Sequence, residues 1–277
     1  MKEETKGALL MSLSAVFFSL GGLLIKLIPW GPVTINGVRC VLATAVFAVY
    51  MAAIKKKPVI NLPTLLGALG LLGTTSFFNA ATKFTTAGNA IILEYTSPIF
   101  IILLSYILFK KKPQKADLCV AAAVLFGMVW FFLDSLSSGG VLGNLFGICA
   151  AISVSIVYVI KLHPKTDMAS LIFFGLLFAA VTGTPFIVKE TVFTPEVWIC
   201  IAVLGLVQMG LAYIIFFLGI TRCSPVSAVV AGSLEPILNP IWVAIFYGEM
   251  IRPLAFPGVV IFLLSVILYN VYMAKRE

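Results

Sequence analysis

This sequence predicts an all-α membrane protein of ten transmembrane helices, built as two inverted five-helix repeats with both termini cytoplasmic. Three observations predict it. Apolar residues come in blocks long enough to cross a bilayer, with 61% of the chain hydrophobic and 11% charged. Basic residues gather in alternate intervals between those blocks. Two acids lie deep inside apolar blocks at matching places in the two halves, Glu94 in "AIILEYTSPIF" and Glu235 in "SLEPILNPIW".

Soluble domains average nearly half apolar and about a quarter charged. A mean hydropathy of +1.11 places this chain in the polytopic membrane class instead. A helix crossing ~30 Å of hydrocarbon at ~1.5 Å per residue needs about 20 mainly apolar residues. Blocks of that size fall at 7–28, 32–53, 63–82, 86–109, 116–133, 141–160, 168–188, 195–218, 225–247 and 254–273. Their length, and the lack of strict alternation, favour helices over a barrel. The first block is too long for a signal-peptide core, its flank is half acidic (Lys2, Glu3, Glu4, Lys6), and no A-x-A site follows. It reads as a retained span.

The net charge of +8 is explained by position rather than by a nucleic-acid partner. With the N-terminus inside, inner segments hold 14 of the 19 basic residues, including Lys55, Lys56, Lys57, Lys110, Lys111, Lys112, Lys161, Lys165 and Arg222. That asymmetry is the positive-inside rule, and it predicts a multi-pass protein of the cell (plasma or inner) membrane with cytoplasmic termini. The five scattered cysteines, with no C-x-x-C pair, read as small apolar filler, so no metal and no cofactor are expected.

A shift of 141 residues superposes Ala87 on Ala228, Ala90 on Ala231, Leu93 on Leu234, Glu94 on Glu235 and Tyr106 on Tyr247. Apolar matches are cheap in such a composition; the match of the two deep acids is not. The halves therefore read as a duplication, residues 1–137 and 138–277, joined near "DSLSSGGVLGN" (134–144). Five spans is an odd number, so the second copy enters the membrane upside down. Glu94 would lie ~12 Å and Glu235 ~15 Å in from opposite faces, at ~1.5 Å per residue. Inverted repeats with interrupted helices at equivalent places are an architecture of alternating-access transporters.

Pro98, Pro236 and Pro240 are the expected helix breaks, because each removes a donor and frees a carbonyl one turn earlier. A charge inside a span costs roughly 2.5–3.5 kcal/mol on insertion scales, so it usually faces the bundle interior or water. At helical spacing Glu94 shares a face with Pro98, and Glu235 with Asn239 and Trp242. One reading is packing: prolines kink, alanines let helices approach, and each Glu caps a neighbour's backbone. The other is that these faces line a cavity, where a carboxylate binds an amine-bearing solute or exchanges a proton. Arg39 either meets a solute carboxylate or snorkels to the interface. Asn79, Tyr95 and Tyr213 either hydrogen-bond between helices or offer hydrogen bonds and aromatic faces to a ligand. Tyr158, Gln208, Ser12, Ser14 and Ser153 are the other polar residues within spans.

The stretches "NGVRCVLATAVF" (36–47), "AATKFTTAGNAIILEYTSPIFIILLSYILFKKKP" (80–113) and "GITRCSPVSAVVAGSLEPILNPIWVAIFYGEMIRP" (219–253) resemble the drug/metabolite transporter superfamily, specifically its ten-span EamA branch. The alanine-rich stretch, then L-E-P, then Gly248-Glu249 is the most specific element, and Arg39-x-x-x-Ala43 is similar to the family's R-x-x-x-A. The first half departs from the family's G-E pair, reading "ILFKKK" at 107–112. The resemblance implies an exporter of amino acids and other small metabolites without an ATP motor.

Other classes find less support. There is no H-E-x-x-H or G-x-S-x-G for an intramembrane enzyme, and no Walker sequence for a pump. The one histidine, His163, falls in the loop "KLHPKTD", and Asp117, Asp134 and Asp167 fall at span ends. A passive channel or facilitator shares the expected features and is the alternative. The expected partners are a small-molecule solute and lipid, with the proton as candidate coupling ion. Glu94 and Glu235 lead the expected cavity set, followed by Asn79, Tyr95, Tyr213, Asn239, Trp242 and Arg39.

Overall fold

A computed structural model describes residues 3–131 and 140–247, with residues 257, 258, 260, 261, 264, 265 and 268. Most of the expected tenth span (254–273), the pair Gly248-Glu249 and much of the junction at 134–144 lie outside the described residues. Among the described residues the chain is helical and carries no strand. Seven helices there are long and apolar enough to cross a membrane.

The first expected span is two pieces, α1 (Glu3–Phe18) and α2 (Gly21–Leu27). α3 (Pro32–Ala53) starts on a proline, whose fixed φ suits a first turn and whose missing N–H costs nothing there. α4 (Leu62–Phe84) starts where the Asn61 side chain accepts from the Thr64 amide, satisfying one orphan donor. The fourth span divides into α5 (Ala87–Glu94) and α6 (Ser97–Phe109), followed by α7 (Lys115–Phe131), α8 (Val141–Ile160) and α9 (Met168–Gly183). A short 3₁₀ segment, Thr184–Lys189, extends α9. α10 (Pro195–Ala202) then runs through a π-helical stretch, Val203–Leu211, into α11 (Ala212–Ile220). The ninth span divides into α12 (Pro225–Gly232) and α13 (Glu235–Tyr247).

The two divided spans have the same plan, an eight-residue helix and a two-residue break before a second helix. Their structural register is a shift of 138, not the 141 that pairs the acids. The cap Thr86, accepting from Asn89 N, then superposes on Ser224, accepting from Ser227 N, and Pro98 falls on Pro236. The breaks at Tyr95–Thr96 and Ser233–Leu234 precede Pro98 and Pro236, which sit in the first turns of α6 and α13 where a proline is tolerated. Pro240, an expected break, lies within the continuous helix α13. Glu94 consequently closes α5 while Glu235 opens α13.

Small residues let the two halves interlock. α4 lies along α8 and α9, α3 along α9, and α1 along α11 and α12. A Cβ placed on Gly37 of α3 would sit 2.2 Å from the Gly183 carbonyl carbon at the end of α9. Only backbone fits there, the close approach that small residues provide in membranes. Large apolar side chains such as Val49, Ile107, Ile199 and Ile245 stay exposed on the outside, as a lipid-facing surface requires.

Candidate functional site: a cavity between two divided helices

The breaks in α5–α6 and α12–α13 border one cavity of about 90 Å³. At ~10–15 Å³ for each water, it holds several waters or part of a small solute. Glu94, Tyr95 and Ser97 contribute from the first break, and Glu235 from the second. Freed backbone acceptors at such breaks are tolerated where they face protein or a wet cavity. The hydroxyl of Tyr95 uses one of them, lying 2.8 Å from the Gly232 carbonyl oxygen and 3.0 Å from Glu235 Oε2. Glu94 makes no hydrogen bond among the described residues, which leaves its carboxylate turned to the cavity.

The two acids occupy opposite helix ends. Glu235 stands in the first turn of α13, where exposed amides favour negative charge, and Glu94 at the end of α5, where exposed carbonyls oppose it. The one-turn offset between acid and helix registers thus gives them unlike electrostatic surroundings.

Arg39 supplies the cation. It is buried, 2% exposed, and reaches the cavity instead of the interface. Asn36 Oδ1 accepts from Arg39 Nη2 at 3.2 Å and Nε at 3.4 Å, and Gln208 Oε1 accepts from Nη1 at 3.4 Å. Asn36 is itself anchored, donating to Thr75 Oγ1 and Ser76 Oγ. Gln208 lies in the π-helical stretch and donates to the Phe18 carbonyl at the α1–α2 break. π turns often mark functional positions because they re-aim side chains without ending the helix.

Aromatic rings form much of the remaining wall. Tyr213 stands edge-on to Phe18 at 4.9 Å and to Phe216 at 5.8 Å, and Tyr158 is edge-on to Phe216 at 5.8 Å. Such rings offer an ammonium group a negative face in a water-poor site.

Of the expected set, Glu94, Glu235, Tyr95, Tyr213 and Arg39 line this cavity together. Three others lie behind it. Asn79 donates to Asn36 Oδ1 at 3.1 Å and to the Thr75 carbonyl at 2.6 Å. Asn239 packs on Gly22, where a Cβ would come 2.3 Å from its Oδ1. Trp242 donates from Nε1 to Ser19 Oγ at 2.9 Å. Tyr158, Gln208, Thr74, Thr75 and Ser97 also line the cavity, outside the expected set. The polar character of Tyr158 and Gln208 inside spans was their only signal. No group of three or more His, Cys, Asp or Glu suited to a metal occurs among the described residues.

A bundle of apolar helices whose divided spans meet at a buried, charged cavity has the build of a membrane transporter. Residues 5–133 and 141–271 each match the EamA-like transporter family, and the chain belongs to that family. The two matches make it a multi-pass membrane protein of two repeats. A solved crystal structure superposes with a TM-score of 0.77 over 97% of this chain and 98% of that chain at 19% identity, a likeness of fold. No curated protein matches the sequence.

Proposed function

We propose that this protein is a secondary-active exporter of small amine-bearing metabolites, amino acids among them, working by alternating access around the central cavity. In this reading it crosses a cell membrane ten times, its repeats are inverted, and both termini are cytoplasmic, as the basic asymmetry suggests. One observation carries the proposal: Glu94, Glu235 and Arg39 line a single cavity walled by aromatic rings.

The charges divide the work. Glu235, held by Tyr95, is the fixed anion that receives a solute ammonium, and the rings of Tyr158 and Tyr213 supply its apolar surroundings. Arg39, whose fork is oriented by Asn36 and Gln208, receives a carboxylate when the solute has one. Glu94, without a protein donor, exchanges a proton with whichever side the cavity meets. A cavity alternately open to two compartments couples that proton to the solute.

A thermal-shift screen of amino acids, amines and nucleosides on the purified protein identifies the solute, and counterflow in liposomes then tests the mechanism. The proposal expects unlabelled solute inside to accelerate uptake of labelled solute. Flux without such trans-stimulation indicates a passive facilitator, and stabilisation by nucleosides alone contradicts the amine assignment.

A further inference from the structure

A second cavity, of about 80 Å³, lies at the other end of α6 from its break. Ile102 and Ser105 of α6, Lys111 and Lys112 of the linker, Asp117 of α7 and Ser224 at the start of α12 line it. Ser105 is 8% exposed, and it lines the cavity. A hydroxyl on a cavity wall offers a polar ligand a donor.

Charge narrows that ligand. Two ammonium groups face one carboxylate, and Asp117 Oδ2 is already turned to the Gln114 amide at 3.0 Å. The Ser224 amide is likewise taken, donating to Glu4 Oε1 at 2.9 Å, so the lysines and Ser105 are the groups left to hold an anion. With the Asp117 and Glu4 carboxylates each turned to a backbone amide, the Lys111 and Lys112 ammonium groups are the charges that suit an oxyanion. The position favours a lipid source: exposed apolar residues Leu103, Ile107 and Leu118 flank the site on α6 and α7. Basic pockets between helix ends are where lipid headgroups bind.

The geometry points to this cavity as a site for the phosphodiester of an anionic phospholipid, separate from the central cavity and wedged between α6 of the first repeat and α12 of the second. Lys111 and Lys112 contact the phosphate oxygens, Ser105 donates to one of them, and the acyl chains lie along the apolar faces of α6 and α7. Headgroup binding there ties together the two divided spans at one membrane face.

Native mass spectrometry of the full chain in detergent tests this, with phosphatidylglycerol and phosphatidylcholine as probes. Phosphatidylglycerol is expected to bind more tightly, and Lys111→Gln/Lys112→Gln to weaken it roughly 10- to 30-fold. Ser105→Ala should weaken it about tenfold or more, as loss of a hydrogen bond to a charged group does. Lys57→Gln/Lys165→Gln removes equal charge elsewhere and should leave binding nearly unchanged. Equal binding of both lipids, or equal losses in both lysine pairs, overturns the site. Displacement by millimolar inorganic phosphate overturns the lipid assignment in favour of a free-phosphate site.

Discussion

Tyr95 and Glu235 join the two divided spans: the Tyr95 hydroxyl at one break lies 3.0 Å from Glu235 Oε2 at the other. The two residues are 140 positions apart and come from different repeats, so this hydrogen bond is a direct link between the halves. Any movement that separates α5–α6 from α12–α13 must break it. Tyr95→Phe should therefore lower stability by about 1.5–3 kcal/mol, the range for hydrogen bonds to charged groups. Thermal unfolding in detergent measures the loss, and an unchanged midpoint would mean the link contributes nothing to the resting state.

Glu94 and Glu235 should respond differently to neutralisation. Glu235→Gln removes the fixed anion and is expected to weaken solute binding tenfold or more, since a charge-assisted bond becomes a neutral one. Glu94→Gln should leave binding largely intact and flatten the pH dependence of flux. Flux measured across pH in proteoliposomes, beside solute affinity by thermal shift, separates the two roles. Identical effects from both substitutions would contradict the division of labour.

Gly37 of α3 and Gly183 of α9 meet backbone against backbone. Gly37→Ala should cost about 1–3 kcal/mol, because the neighbouring atoms are backbone and cannot swing aside. Gly232→Ala is the control: the added methyl would meet only the Tyr158 hydroxyl, at 3.7 Å. Unfolding midpoints that fall equally in both variants would refute the packing argument.

At the membrane surface, Asp167 caps α9 and pairs with Lys56 at 2.6 Å. Burial works to raise its carboxyl, but hydrogen bonds from Lys56 and Ser170 outweigh that and hold it below the usual aspartate value of 3.8. A group depressed in the folded state adds stability above its unfolded pKa and loses it as pH falls through the folded value. Asp167→Asn keeps a good cap but loses the ion pair, at about 0.5–1 kcal/mol near pH 7. The gap between the unfolding midpoints should start to narrow as pH falls below the unfolded value of about 3.9, and close only once pH has passed beneath the lowered folded value. A gap that persists there would assign the effect to shape rather than charge.

The spans were legible because length and hydropathy report burial in lipid directly, and expected bounds such as 32–53 and 141–160 coincide with α3 and α8. The breaks were legible only approximately, since proline marks a first turn as readily as a kink. Thus Pro98 and Pro236 lie just past the breaks, and Pro240 lies inside a helix. The interruption of the first span at Ser19–Leu20 is flanked by Gly21-Gly22, which weakens a helix without fixing where it breaks, and the π-helical stretch depends on what packs beside it. Asn239 and Trp242 share a helical face with Glu235, as periodicity indicated, yet α1 and α2 cover that part of the face. Arg39 illustrates the converse. Its sequence allowed either interface or interior; Asn36 is a local partner three residues earlier on α3, but Gln208, which also holds it inside, comes from a distant span.

The most direct test of the account is the accessibility of the cavity from each side of the membrane. With Cys40, Cys119, Cys149, Cys200 and Cys223 replaced, Thr74→Cys places one thiol on the cavity wall. Alternating access predicts that a membrane-impermeant thiol reagent modifies it when added to either side of oriented vesicles, with saturating solute slowing the reaction from both. Modification from neither side would contradict a water-accessible central cavity, and modification from one side alone would contradict its alternation.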